Sequence, residues 1–151
     1  METIRSSTII NENEINMIKD WINPNESFNF ELLYRASRDG DEVKTFHQLC
    51  DGKGPTIVFI KNSHNFRFGG FTTVPWSNSN PEYKPDDKAF IFSLDAKKNI
   101  KYFTKKELFI IIAVMGRHLA VLMTYTSAIY VAIKEVVIVK LDMIMMLLLK
   151  K

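Results

Sequence analysis

Turn chemistry runs out of this chain near residue 107. All five prolines, all eleven asparagines and five of the six glycines lie before that point, and five of the seven methionines lie after it. Glycine supplies positive φ, proline presets φ, and asparagine closes turns with its own side chain, so a fold of short strands needs them between its elements. Residues 1–106 can reverse direction repeatedly, whereas residues 107–151 have almost nothing to turn with. The chain is therefore read as a domain over 1–106 followed by an apolar tail over 107–151.

The first unit carries 15 basic and 14 acidic side chains, and the whole chain has a net charge of +3. No basic stripe is present, which argues against nucleic-acid binding. The single cysteine, Cys50, rules out an internal disulfide framework and fits a reducing compartment. METIRSSTII at the N-terminus lacks the apolar core of a signal peptide. The expectation is a cytoplasmic protein. No P-loop, dinucleotide fingerprint or nucleophile–base spacing occurs, so neither a cofactor nor a catalytic residue is expected, and the chain is not read as an enzyme.

Local patterns place the elements. Asn11 and Glu14 have capping-box spacing, and Ile15, Ile18, Trp21 and Ile22 recur at helical period until Asn23-Pro24 ends the helix. Phe30, Leu32 and Tyr34 alternate with Glu31, Leu33 and Arg35 as in a strand. Residues 37–40 read as a turn, and Asp41 as the cap of a short helix with Val43, Phe46, His47 and Cys50 on one face. Gly54-Pro55 punctuates the chain before the buried-strand run Thr56-Ile-Val-Phe-Ile60. Residues 62–65 suit a hairpin connection, and the return strand carries Gly69-Gly70 at its middle, a sign of close backbone approach. A polar loop over 77–87 precedes a further strand over 89–94. Helices and short strands in this order point to an antiparallel α+β or β-sandwich domain.

The phrases LLYRASRDG (32–40), FHQLCDGKGPTIVFIK (46–61), FGGFTTVPW (68–76) and KAFIFSL (88–94) resemble, in order and spacing, the TLDc domain over about residues 7–102. The resemblance implies a sandwich of antiparallel strands with small helices, in a eukaryotic family linked to oxidative-stress resistance. Some members bind the vacuolar proton-pumping ATPase, which is the partner the resemblance implies, and no agreed catalytic mechanism defines the family. Leu32, Tyr34, Phe46, Ile57, Phe59, Phe68, Trp76, Phe90 and Phe92 are the expected core. Gly40 is expected at positive φ, and Gly69 and Gly70 where neighbouring chain comes close. The candidate contact surface is Arg35, Arg38 and Asp39 together with Ser77 and Asn78 of the polar loop.

After the strand FIFSL the family continues with a motif like Y-G-P-T-F-G-G-x-x-D-I-x-I, which this chain lacks. Back-translation read in a displaced frame supplies it. Methionine has a single codon, so Met115-Gly116 forces a displaced glycine and Met123-Thr124 a displaced aspartate. The residues between permit Thr-Phe-Gly-Gly-Phe-Asp. The expectation is a one- or two-base slip near codons 107–112, leaving the family's C-terminal strands missing or replaced. That would make the product truncated or nonfunctional.

Bland readings compete with sharper ones elsewhere. Segments 108–116 and 119–133 are apolar but are split by Arg117-His118, a basic pair that is costly at mid-membrane, so a membrane anchor through 108–133 is not expected. His47-x-x-Cys50 is two ligands short of a structural zinc site and reads as a packed helix face. Asp39, Asp41 and Glu42 lack a calcium-loop pattern. The function expected is a non-catalytic interaction domain, with a hydrolase or antioxidant enzyme as the alternative.

Overall fold

A computed structural model describes residues 9–77, 85–100 and 133–144. The chain order is α1 (Glu12–Ile22), β1 (Ser27–Arg35), α2 (Ala36–Asp39), α3 (Val43–Cys50), β2 (Thr56–Asn62), β3 (Arg67–Thr72), β4 (Phe90–Ser93), β5 (Lys98–Ile100) and β6 (Ile133–Ile144). The strands form one six-stranded sheet in the order β1-β6-β2-β3-β4-β5, antiparallel throughout. The expected α+β class is what these residues form. Their strands make a single sheet, and a second layer of strands is not among the described residues.

Helix α1 starts as its sequence dictates. Asn11 Oδ1 accepts from Glu14 N–H and Glu14 Oε2 accepts from Asn11 N–H, both at 3.0 Å, so two otherwise orphaned donors are satisfied reciprocally. Ile15 and Ile18 are buried on its inner face. At residues 37–40 the chain makes the one-turn helix α2 rather than a simple turn, and Gly40 leaves it at φ +85°. Glu42, not Asp41, is the N-cap of α3, and no side chain caps it.

The sheet is apolar on both faces. One cluster packs Phe28, Phe30 and Leu32 of β1 with Ile57, Phe59, Phe71, Phe90 and Phe92 under Ile15 and Ile18 of α1. A second packs Leu33 and Tyr34 of β1 with Val58, Ile60 and Trp76 under Phe46 and Cys50 of α3. Strict alternation puts Tyr34 beside Leu32. Instead, a register shift between Leu32 and Tyr34 breaks the alternation, so the end of β1 feeds the opposite cluster. Leu33, which alternates with the expected core residues Leu32 and Tyr34, is buried as well.

Gly69 sits in the ladder between Phe59 and Phe92, whose ring centroids are 5.7 Å apart. A Cβ at Gly69 would run into the Val58 carbonyl oxygen and come within 2.6 Å of the Phe92 ring. At Gly70 the nearest atom would be 3.5 Å away, an ordinary contact. Close approach is thus required at the first glycine of the pair only.

An interior place in the sheet, next to the edge strand β1, holds a strand from beyond the composition break. β6 pairs with β1 on one side and β2 on the other, from Ser27↔Ile144 to Asn62↔Ile133. Val137 and Val139 enter the first cluster and Ile138 the second, each at most 1% exposed. The run Glu135-Val-Val-Ile-Val139 suits such a slot, because a strand covered on both faces reads as continuous β-branched residues. Apart from Ile133, the apolar stretch 108–133 lies outside the described residues, as do the codons assigned to the slip. Among the described residues no helix is long and apolar enough to cross a membrane.

Candidate interaction surface

The corner after β1 brings three of the candidate contact residues together. Asp39 Oδ2 accepts from Arg35 N–H at 2.9 Å, closing α2 back onto the strand. The Arg38 guanidinium donates to both Asp39 oxygens, at 2.7 and 2.8 Å, and more weakly to Leu33 O at 3.4 Å. The bond from Arg38 is the chief reason the Asp39 carboxyl is held below its ordinary pKa; burial opposes it, and the Arg35 N–H and both arginine charges assist. Tyr34 Oη donates to Gly40 O at 2.6 Å, which fixes the turn where φ is positive. Arg38 is exposed while Arg35 and Asp39 are half-buried, so the corner presents a cation whose direction is set by a structural carboxylate.

Ser77 stands on another segment, exposed beside Trp76. Trp76 itself is buried, donates Nε1–H to Thr56 Oγ1 at 3.0 Å and meets Phe46 edge-on at 5.0 Å. Asn78 lies outside the described residues. Gly54 packs close under the same segment: a Cβ there would lie 3.2 Å from Pro75 and from Thr73 O, and the Gly54-Pro55 bond that follows is cis. Phe90 and Phe92 are buried in the first cluster against Trp21.

Two polar centres had no signal in the sequence. Arg67 binds Glu14 at 2.9 and 3.0 Å, Ile9 O at 3.0 Å, and Asp95 through both its backbone and its side chain. These partners are 28 to 58 residues away, so no local pattern could reveal them. Burial alone would lower the arginine's pKa, but the bonds to Glu14 and Asp95 outweigh it and raise it. Asp86 accepts from Thr72 Oγ1, Thr73 N–H, Thr73 Oγ1 and Lys88 N–H at 2.6–3.2 Å, which anchors the return of the 77–87 loop to the end of β3. Burial pushes its pKa up, and the four donors more than reverse this, so the carboxyl titrates below its ordinary value.

Cys50 and His47 do not act as a pair. His47 Nδ1 is 2.7 Å from Asp51 Oδ1. Cys50 is wholly buried; desolvation, with Asp51 and Asp39 adding, pushes its thiol up to about 12, far from the thiolate needed for reactivity.

Comparison with known proteins gives these residues a context. The family model of the TLDc domain matches residues 3–120, running past the composition break. The mTOR-associated protein MEAK7 of Xenopus laevis is 30% identical over 76 residues, covering 48% of this chain and 16% of that protein. The same-named protein of Gallus gallus is 35% identical over 66 residues, covering 42% and 13%, and that of Danio rerio 27% over 63 residues, covering 42% and 14%. The chain thus spans less than a fifth of the length of these relatives. The family match takes in well over half of the chain and all of the sheet except β6, and on that ground the chain belongs to the TLDc domain family.

Proposed function

We infer that the chain is a non-catalytic protein-interaction domain working on the cytoplasmic side of the cell. The observation that carries this reading is the similarity to relatives whose name records association with mTOR. The geometry supports it. Among the described residues, the polar groups gathered at Arg67 and Asp86 join elements to one another. The Arg35–Arg38–Asp39 corner, with Ser77, is the charged contact surface on this reading. Two partners follow from two sources: an mTOR-containing assembly from the relatives' name, and the vacuolar proton pump, with a role in oxidative-stress resistance, from the family resemblance.

The test is affinity recovery of the tagged full chain from eukaryotic cells, followed by quantification of mTOR and of pump subunits. Recovery of either, reduced by Arg38→Glu, supports the reading and selects the partner. Recovery of neither, with hydrolytic or peroxide-consuming turnover that survives purification and disappears on a single substitution, makes the protein an enzyme instead.

A further inference from the structure

The face of the sheet that carries α3 is covered unevenly. Helix α3, Ala36 and Trp76 pack over the β1, β6 and β2 positions through Leu33, Tyr34, Ile138, Val58 and Ile60. Cover thins at β3, where Phe68 is only half-buried against that cluster. Ile91 lies on the same face, because it pairs with Gly70 and its Cγ2 is the side-chain atom nearest to where a Gly70 Cβ would be. Ile91 too is half-buried. Arg67 turns to the opposite face, toward Ile9 and Glu14, so alternation puts Phe66 on the side of Phe68. Phe66 is 61% exposed.

A lone exposed apolar side chain needs no explanation. Here Phe68 packs at the edge of a buried cluster, and Ile91 and Phe66 extend its face toward solvent. The outermost is held ready: Asn62 Oδ1 accepts from His64 N–H and Phe66 N–H at 3.0 and 2.9 Å, and Asn62 N–H donates to Phe66 O at 3.0 Å. An aromatic presented on a pre-ordered hairpin loses little freedom when it docks. One margin is basic, since Lys98 follows Phe68 and Ser93 across the strands, and His64 is exposed at the hairpin tip as a hydrogen-bonding group. The nearby carboxylate of Asp95 is held by Arg67.

We propose that Phe66, Phe68 and Ile91, edged by Lys98 and His64, form a docking face for a segment of a protein partner that carries apolar side chains interleaved with carboxylates. The proposal rests on the interaction-domain reading and assigns it a surface distinct from the Arg35–Arg38–Asp39 corner. Charge complementarity selects the occupant: apolar groups cover the phenylalanines while a carboxylate meets the Lys98 ammonium and another can accept a hydrogen bond from His64.

The test uses the full chain and two fluorescently labelled synthetic peptides, one alternating Leu and Glu and the other alternating Leu and Lys, followed by anisotropy. The Leu/Glu peptide is expected to bind, to weaken with added salt, and to lose roughly tenfold in affinity with Phe66→Ser and with Lys98→Glu. Both side chains are exposed, so circular dichroism should show an unchanged fold. Absence of binding, equal binding of both peptides, or indifference to both substitutions overturns the proposal. So does self-association of the chain that Phe66→Ser abolishes, which would make a second copy the occupant. Cellular recovery separates this from the parent reading: if Phe66→Ser recovers partners as well as the parent chain does, the interaction domain stands and this face falls. Peptide binding without cellular partners does the reverse: the face stands and the interaction-domain reading falls.

Discussion

Single residues in this protein divide by whether their neighbours can give way. The Val58 carbonyl that a Cβ at Gly69 would strike belongs to a paired backbone and cannot move without breaking the ladder, and Phe92 is pinned by Phe59 and Trp21. Gly69→Ala should therefore cost about 2–4 kcal/mol, while Gly70→Ala should stay within about 1 kcal/mol, read as urea midpoints at constant m-value. Asp86 gives a pH-dependent counterpart. Its folded pKa is depressed, so its contribution is fully present above the ordinary aspartate value of 3.8 and is lost as pH falls through the lower folded value. Asp86→Asn should cost about 1–2 kcal/mol at neutral pH and make stability less steep with pH below about 4, because the amide accepts fewer hydrogen bonds and does not titrate. An unaltered acid limb would show that the carboxylate does not tether the loop.

At the scale of elements, an ionic joint ties helix α1 to strand β3 across 53 residues of sequence. Glu14 closes the capping box of α1, a local device legible from Asn11-x-x-Glu14, and also receives Arg67 from β3. Arg67→Ala would leave Glu14, 7% exposed, without its cation. A cost of about 3 kcal/mol is expected, and the double variant with Glu14→Gln should cost clearly less than the sum of the singles, as thermal unfolding of the four-member cycle would show. Additivity would mean that the two side chains do not act as a unit. The register shift after Leu32 belongs to this scale too. The alternation Phe30, Leu32, Tyr34 announces the strand correctly but assigns Tyr34 to the wrong face, because a β-bulge leaves no compositional mark when both candidate residues are apolar.

The whole molecule turns on β6. Without it β1 has no strand neighbour and β2 loses one of its two. Ile138→Asp puts a carboxylate among Tyr34, Val58 and Ile60 and should destabilise the chain by more than about 3 kcal/mol in urea titration. The displaced-frame reading of the segment beyond residue 107 expects the opposite: a tail not selected for packing tolerates that change without loss. Coding DNA across codons 105–115 provides the companion test, since one in which no single-base correction restores the Y-G-P-T-F-G-G motif would remove the slip.

Helix α1, the strands at 30–34, 56–60 and 90–94, and the core aromatics other than Phe68, expected inside but half-buried at the thin edge of its cluster, are legible in the sequence alone, because capping and periodicity act over a few residues and leave their pattern in the chain. So is the family, through phrases whose spacing is kept by the turns between them. The Arg67 and Asp86 centres, the face taken by Tyr34 and the place of β6 between β1 and β2 are not legible there. Arg67 and β6 depend on groups tens of residues apart meeting in a sheet whose strand order does not follow chain order, and Asp86 reaches Thr72 and Thr73 only across a loop of more than a dozen residues. A run such as Val-Val-Ile-Val carries a propensity but no address, and the address comes from the slot that the other strands leave open.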